Sequence, residues 1–184
     1  DVYKRQEDAL SPYVKNRWHS FTLSVNYRTP AQIMEASSGV LAEINPTAQQ
    51  PRSIRRSAYD VELIDRADNT WLVVLQQTVH HMQNFHPGEK RTCGILVSPA
   101  VMGDLQAVMD TTILDRTVLD AAVSLVQDAK GLEFDYVIIA DPVGMVEASP
   151  QGLNDLFVAM TRATQALAIV HDGAVPYCLS DLVE

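Results

Sequence analysis

Cysteine, positive charge and long apolar runs are all scarce in this sequence. Its two cysteines, Cys93 and Cys178, are too few for a disulfide framework or a four-cysteine zinc site. The 14 Lys and Arg residues face 23 Asp and Glu residues, and the resulting net charge of −9 disfavours autonomous, non-specific binding of nucleic acid. No apolar run approaches the roughly 20 residues that a membrane span requires. We therefore expect a cytoplasmic protein with no membrane partner.

The composition is otherwise that of an ordinary globular protein. Of the 184 residues, 47% are hydrophobic and 20% are charged, which argues against disorder and fibrous repeats. This length predicts one domain around one hydrophobic core.

The first residues differ in character from the rest. The chain begins with Asp1 and shows no signal-peptide pattern. Residues 1–6 resemble the translation of a transposon-end adapter used in sequencing libraries, although a genuine helical start remains an alternative. We expect residues 7–20 to be a poorly specified lead-in, residues 21–172 to form the domain, and residues 173–184 to be a C-terminal tail. On this interpretation the chain is a fragment of a longer protein.

Short apolar runs alternate with amphipathic segments along the chain. The pattern predicts strands over residues 21–26, 59–64, 94–97, 123–126, 136–140 and 166–170. It predicts helices that begin at Thr29-Pro30 and end at Asn45, that cover residues 72–82 and 153–160, and that run from Ser98-Pro99 to Met109. Thr29 and Ser98 are expected to cap their helices, with Gln32 completing a capping box.

Strands that are apolar on both faces, separated by such helices, predict an α/β fold. The expected architecture is a doubly wound, mainly parallel sheet with helices on both faces. In such sheets, ligands bind at the carboxyl ends of the strands.

Three segments carry the residue types of a ligand site: 26–30, 129–135 and 158–163. Together they supply Arg28, Arg162, Glu133 and the flexible Gly131. Arginine suits phosphate groups, a carboxylate suits sugar hydroxyls, and glycine permits close approach of the backbone. The segments therefore indicate a site for an anionic ligand that contains a sugar.

The same segments, taken in order, resemble motifs of a known family. NYRT at 26–29, AKGLEFD at 129–135 and VAMTRATQAL at 158–167 resemble the fourth, fifth and sixth motifs of superfamily 1 helicases of the UvrD/Rep/PcrA type. The resemblance covers roughly residues 20–172. The part of the family that it matches is the second RecA-like domain of these P-loop NTPase-type motors.

The resemblance implies a role for each matching residue. Arg28 and Arg162 would be arginine fingers that reach the γ-phosphate of ATP and neutralise charge during phosphoryl transfer. Glu133 would bind the ribose, Gly131 would admit the nucleotide, and Tyr27 would stack beside the base. The alternatives are that the arginines only cap helices or form salt bridges, and that Glu133 and Tyr27 only order a loop.

The phosphate-binding half of an ATP site does not occur in this sequence. There is no G-x-x-x-x-G-K-[ST] motif and no acidic pair in a Walker B-like context. In the family, these elements and the Mg²⁺ ligands belong to the first RecA-like domain. The resemblance thus implies ATP with Mg²⁺ as the ligand, a missing N-terminal RecA-like domain as the partner in cis, and no metal ligands on this chain.

Two positions depart from the DNA-gripping pattern of the family. Leu125 and Gln127 stand where these helicases usually carry Thr-x-His. The segment GLNDLFVAMTRATQAL is instead similar to the DNA-helicase-IV-like branch, the actinobacterial HelD proteins that engage RNA polymerase. Three hypotheses remain open: a DNA helicase or translocase motor, a HelD-like polymerase-recycling ATPase, and a degenerate RecA-like scaffold.

Other polar clusters are weaker candidates. Arg52, Arg55 and Arg56, together with Gln127, are the candidate contacts to nucleic acid or polymerase, although a solvated loop is the alternative. His80, His81, His86 and Cys93 match no zinc-ligand spacing, and we expect no metal site.

Overall fold

The computed structural model describes residues 12–13, 24–111 and 121–183. The strands are β1 (Val25–Asn26), β2 (Arg52–Ser53), β3 (Glu62–Asp65), β4 (Cys93–Val97), β5 (Ala122–Ser124), β6 (Phe134–Ala140) and β7 (Ala163–His171). The helices are α1 (Ala31–Ala36), α2 (Ser38–Ile44), α3 (Trp71–Gln83), α4 (Pro99–Thr111), α5 (Pro142–Glu147), α6 (Gly152–Met160) and a 3₁₀ helix (Tyr177–Leu182). Residues 21–23 of the first predicted strand and the side chain of Met109 lie outside the described part.

Five parallel strands form the main sheet, in the order β3-β7-β6-β4-β5. The short strands β1 and β2 pair with each other, also in parallel. Since β4, β6 and β7 lie inside the sheet and are covered on both faces, their sequences are almost continuously apolar.

Alternate residues of the central strands enter two separate cores. Val137 and Ile139 of β6 face a front core that contains residues of α1, α2, α5, α6 and the 3₁₀ helix. Tyr136 and Ile138 face a back core, in which α3 and α4 cover the sheet. Helices therefore cover both faces of a parallel sheet, and the predicted doubly wound α/β fold is confirmed.

The helix that begins after Thr29 differs from the prediction in two ways. Thr29 does not cap it, because its Oγ1 is buried without a hydrogen-bond partner among the described residues. Gln32 completes no capping box, since its side-chain amide instead exchanges two hydrogen bonds with the main chain of Ser57. The helix also breaks at Ser37, whose hydroxyl donates to the carbonyl of Met34 at 2.9 Å and so competes with the backbone ladder.

The region after residue 172 packs onto the domain. Leu179, in the 3₁₀ helix, is 1% exposed and belongs to the front core. A Cβ atom on Gly39 would overlap the carbonyl oxygen of Cys178, so α2 and this segment are in direct contact. Within residues 173–184, which the sequence predicts to be a C-terminal tail, Tyr177–Leu182 therefore packs onto the domain. The sequence pattern did not predict this helix, because only one of its residues, Leu179, is fully buried.

Two further elements were not predicted. Helix α5 is capped by Asp141, which adopts a left-handed conformation and whose side chain accepts a hydrogen bond from the Gly144 amide at 2.9 Å. Strand β2 lies where only a loop was expected. Its two residues, Arg52 and Ser53, pair with β1 but carry no apolar pattern from which a strand could be predicted.

The histidine-rich region is explained by local contacts. His81 Nε2 lies 3.0 Å from Glu62 Oε1, and the His86 ring stacks on Tyr136. Among the described residues, no group of His, Cys, Asp and Glu side chains is arranged to hold a metal ion. None of the helices in the described part of the chain is long and apolar enough to cross a membrane.

Candidate functional site

An Asx turn positions Arg28 just after β1. The side-chain oxygen of Asn26 accepts hydrogen bonds from the backbone N–H groups of Arg28, at 2.9 Å, and of Thr29, at 3.1 Å. These bonds fix the direction in which the chain leaves the strand. Asn26 is thus a positioning residue to which the sequence analysis assigned no role. The preference of Asn for such turns is the sequence signal that could have identified it.

The loop before β6 turns at Gly131 and presents Glu133. Gly131 has a φ of 87°, in the left-handed region that favours glycine. The backbone N–H of Leu132 donates to the carbonyl of Ala129 at 3.0 Å, which closes the turn. Glu133 follows at once, immediately before β6, with its side chain 46% exposed.

Main-chain carbonyls hold the side chain of Arg162 in place. Its Nη1 donates to the carbonyl of Leu132 at 3.0 Å, and its Nε to the carbonyl of Val158 at 3.4 Å. The backbone carbonyl of Arg162 also accepts a hydrogen bond from the Phe134 amide at 3.1 Å. The end of α6 and the loop before β6 are therefore joined through this arginine.

Arg28, Glu133 and Arg162 converge at one place. Arg28 Nη1 and Glu133 Oε1 form an ion pair at 2.5 Å across 105 positions of sequence. Burial lowers the pKa of Arg162, and the charge of Arg28 lowers it further, against an opposing effect of Glu133. Two guanidinium groups thus lie near one carboxylate, and that of Arg28 forms the ion pair with it. The cluster carries a net positive charge and would attract an anion.

The cluster lies at the amino end of the sheet, not at the carboxyl end. Glu133 directly precedes β6 and Arg162 directly precedes β7, and Phe134 and Ala163 are partners across these two strands. The expectation that the ligand site lies at the carboxyl ends of the strands is therefore wrong for Glu133 and Arg162. Both enter a strand after a crossover, so they meet at the amino ends. Only Arg28 follows its strand.

The remaining ATP-site candidate, Tyr27, is adjacent to Arg28 in sequence. Its side chain is 72% exposed, which leaves the ring accessible to a ligand. The link between Tyr27 and the cluster is therefore its adjacency to Arg28 in the chain.

The candidate nucleic-acid contacts separate into two places. Gln127, in the loop between β5 and β6, donates its side-chain N–H to Asp155 Oδ2 at 2.8 Å. Arg52 and Arg56 line an open cavity of about 560 Å³ beside α1. Their segment contacts the Arg28 loop, because the Ser53 hydroxyl donates to the carbonyl of Thr29 at 2.5 Å.

Comparisons with known proteins bear on the family and the fold of this chain. Residues 120–170 match the model of a family described as the UvrD-like helicase C-terminal domain, which supports a helicase motor domain. This match includes Gly131, Glu133 and Arg162 but not Arg28 or the arginines at 52–56. No curated protein matches the chain.

Among solved structures, the fold is similar to the C-terminal domain of a possible DNA helicase from Lactobacillus plantarum WCFS1. The TM-score is 0.52 at 20% sequence identity, and the match covers 84% of this chain and 92% of that one. The flagellar accessory protein FlaH from Methanocaldococcus jannaschii matches with a TM-score of 0.33 at 11% identity, over 67% of this chain and 66% of that one. That second likeness is too remote to support an argument.

Proposed function

We propose that this chain is the second motor domain of an ATP-dependent UvrD-like DNA helicase or translocase. It would supply half of an ATP site to a first RecA-like domain in the same protein. The observation that carries the proposal is the convergence of Arg28 and Arg162 on Glu133, since two arginines around one carboxylate form a site for an anion with hydroxyl groups.

Each residue has a distinct task in this proposal. Arg28 and Arg162 contact the γ-phosphate and stabilise the charge that develops during its transfer. Glu133 accepts a hydrogen bond from the ribose, Tyr27 stacks on the base, and Gly131 keeps the loop open. The phosphate loop and the Mg²⁺ ligands lie on the first domain.

The ion pair between Arg28 and Glu133 must be exchanged when ATP binds. Both side chains are more than two-fifths exposed, so the pair contributes at most about 1 kcal/mol. Nucleotide phosphate and ribose therefore compete with it readily. In contrast, Arg162 is already held by the carbonyls of Leu132 and Val158 and needs no such exchange.

The ribose contact gives the sharpest test of the nucleotide site. In a protein that joins this chain to a first motor domain, Glu133→Ala should raise the KM for ATP by about tenfold or more, because a hydrogen bond to a charged group is lost. With 2′,3′-dideoxy-ATP, which lacks the hydroxyls, the same substitution should have little effect. Glu43→Ala, on the exposed side of α2, is the control. An equal effect of Glu133→Ala on both nucleotides would contradict the ribose assignment.

A second candidate function is a HelD-like ATPase that acts on RNA polymerase. One observation supports it: both residues at the usual gripping positions already contact other parts of the domain. Gln127 is hydrogen-bonded to Asp155, and Leu125 packs against the back core. A DNA-gripping pair would need an aromatic ring or a polar group directed outward.

The ATPase rate of the complete protein distinguishes the two candidates. For the recycling factor, single-stranded DNA should stimulate hydrolysis little and RNA polymerase should bind. Strong stimulation by DNA with measurable unwinding, and no binding of polymerase, would establish the helicase. No hydrolysis under any condition would favour a degenerate scaffold.

A further inference from the structure

The helices on the front face of the sheet carry negative charge and no positive charge. None of α1, α2, α5, α6 and the 3₁₀ helix contains a Lys or Arg residue, although the chain has 14 of them. The same helices contain five acidic residues, which are Glu35, Glu43, Glu147, Asp155 and Asp181. Within the described residues, Glu35 is the only one of these that forms an ion pair, with Arg56 at 3.5 Å. This face therefore attracts positively charged partners.

An apolar groove opens on the front face between α2, α5 and the 3₁₀ helix. It is an open cavity of about 250 Å³. Val143, Val146 and Leu153 supply apolar surface to it. Its only charged lining residues, among those that the structure describes, are Glu43 and Glu147, and both are exposed. The groove thus combines an apolar lining with two exposed carboxylates.

The 3₁₀ helix supplies an ordered wall that begins with an exposed aromatic ring. Pro176, Tyr177 and Cys178 line the groove, and Tyr177 is 84% exposed. Leu179 follows directly, is 1% exposed and anchors the helix in the front core. Burial raises the pKa of the Cys178 thiol, which is therefore uncharged near neutral pH. Because the wall is already ordered, an occupant that packs on Tyr177 orders few further groups.

The charge and size of the groove argue against several kinds of occupant. Carboxylates repel the phosphates of nucleic acids and of anionic lipid headgroups. Pockets for drug-sized molecules enclose about 300–1,000 Å³, more than this groove does. A peptide with apolar side chains between lysines or arginines would use both the apolar lining and the carboxylates. Exposed tyrosines are also among the residues that contribute most to binding at protein interfaces.

We propose that this groove docks a basic amphipathic segment of a partner protein. Apolar side chains of the segment pack against Val146 and the ring of Tyr177, and its Lys or Arg side chains pair with Glu43 and Glu147. The apolar contacts supply most of the affinity, whereas the charges select the partner and speed its association. No residue of the Arg28, Glu133 and Arg162 cluster lines the groove, so the inference does not depend on the proposed ATP site.

Peptide binding by the 184-residue chain tests the proposal. The probe is the fluorescein-labelled peptide LKKLLKLLKKLLKL, and its affinity is measured by anisotropy at about 100 mM salt. LEELLELLEELLEL keeps the apolar pattern and reverses the charge, whereas GKKGGKGGKKGGKG keeps the charge and removes the apolar side chains. Each should bind at least about tenfold more weakly than the probe, because each loses one of the two kinds of contact. Absence of probe binding, or equal binding of either comparison peptide, would overturn the proposal.

Two substitutions with matched controls locate the binding. Tyr177→Ser should weaken probe binding by about tenfold, as expected for an interface tyrosine, whereas Ile54→Ser, which removes a 60% exposed apolar side chain outside the groove, should leave it unchanged. Glu147→Gln should weaken it by about two- to fivefold, and Asp68→Asn, at an exposed turn position outside the groove, should not.

Equal effects within either pair of variants would reduce binding to general apolar or charge attraction and overturn the proposal. Binding of an oligothymidine or of phosphatidylserine vesicles that Tyr177→Ser abolishes would assign the groove to a phosphate-bearing ligand instead, which would also overturn it.

Discussion

Replacing Arg162 by Ala separates a functional role from a structural one. The substitution removes a hydrogen bond of 3.0 Å to the carbonyl of Leu132 and a weak one of 3.4 Å to that of Val158. Leu132 is 51% exposed, so its carbonyl can bind water instead. The loss of repulsion between Arg162 and Arg28 offsets part of the cost. We therefore expect the free energy of unfolding to fall by about 1 kcal/mol or less, which lowers the Tm by about 2–4 °C.

Catalysis should respond on a different scale. In a protein that includes the first motor domain, Arg162→Ala should lower the kcat of ATP hydrolysis by roughly 10³-fold, as expected for the loss of an arginine finger. The assay is steady-state ATPase activity with saturating ATP, together with thermal melting of the same preparations.

Arg66 provides a matched control at the other end of the sheet. It follows β3, donates to the carbonyl of Asn69 and to Asp172, both at 2.6 Å, and its guanidinium lies 5.2 Å from the centroid of the Trp71 ring. Arg66→Ala should cost at least as much stability as Arg162→Ala but leave kcat unchanged. The reasoning is refuted if Arg162→Ala retains kcat within about threefold, a far smaller loss than an arginine finger causes. It is also refuted if the variant melts more than about 10 °C lower, since the role of Arg162 would then be structural.

Three further outcomes are expected. The chain alone should not hydrolyse ATP, because it has no phosphate loop, and turnover abolished by Arg162→Ala would contradict this. Gly39→Ala should lower the free energy of unfolding by roughly 1–3 kcal/mol, because its Cβ would overlap Cys178. Gly103→Ala lies at an open and exposed helical position and should raise the free energy of unfolding by about 0.5–1 kcal/mol. Denaturant titration of both variants measures the difference. Burial raises the pKa of Asp135, but hydrogen bonds from Thr92 and the charge of Arg91 outweigh it and hold the pKa below 3.8. The stabilisation is therefore present above about pH 4 and is lost as the pH falls through the folded-state pKa. Asp135→Asn should accordingly cost stability at pH 7, and its melting temperature should approach that of the unchanged chain at pH 3.

The sequence by itself determined the architecture and named the residues of the candidate site. Apolar runs such as Cys93–Val97 and Phe134–Ala140 must be covered on both faces, and the helical periods between them supply that cover. Residue types and the resemblance of three short segments to helicase motifs selected Arg28, Glu133 and Arg162 as candidates. These features depend on local patterns, each of which is contained in a few adjacent residues.

Only the tertiary structure decided which end of the sheet carries the site and what its residues contact. The pairing of Arg28 with Glu133 spans 105 positions. Gln32 bonds to the main chain of Ser57, 25 positions away, instead of to the end of its own helix. Likewise, Cys178 is held against Gly39 by packing between α2 and the 3₁₀ helix. Such contacts are chosen by competition among distant groups for the same hydrogen bonds and the same buried space, and no short stretch of sequence contains both competitors.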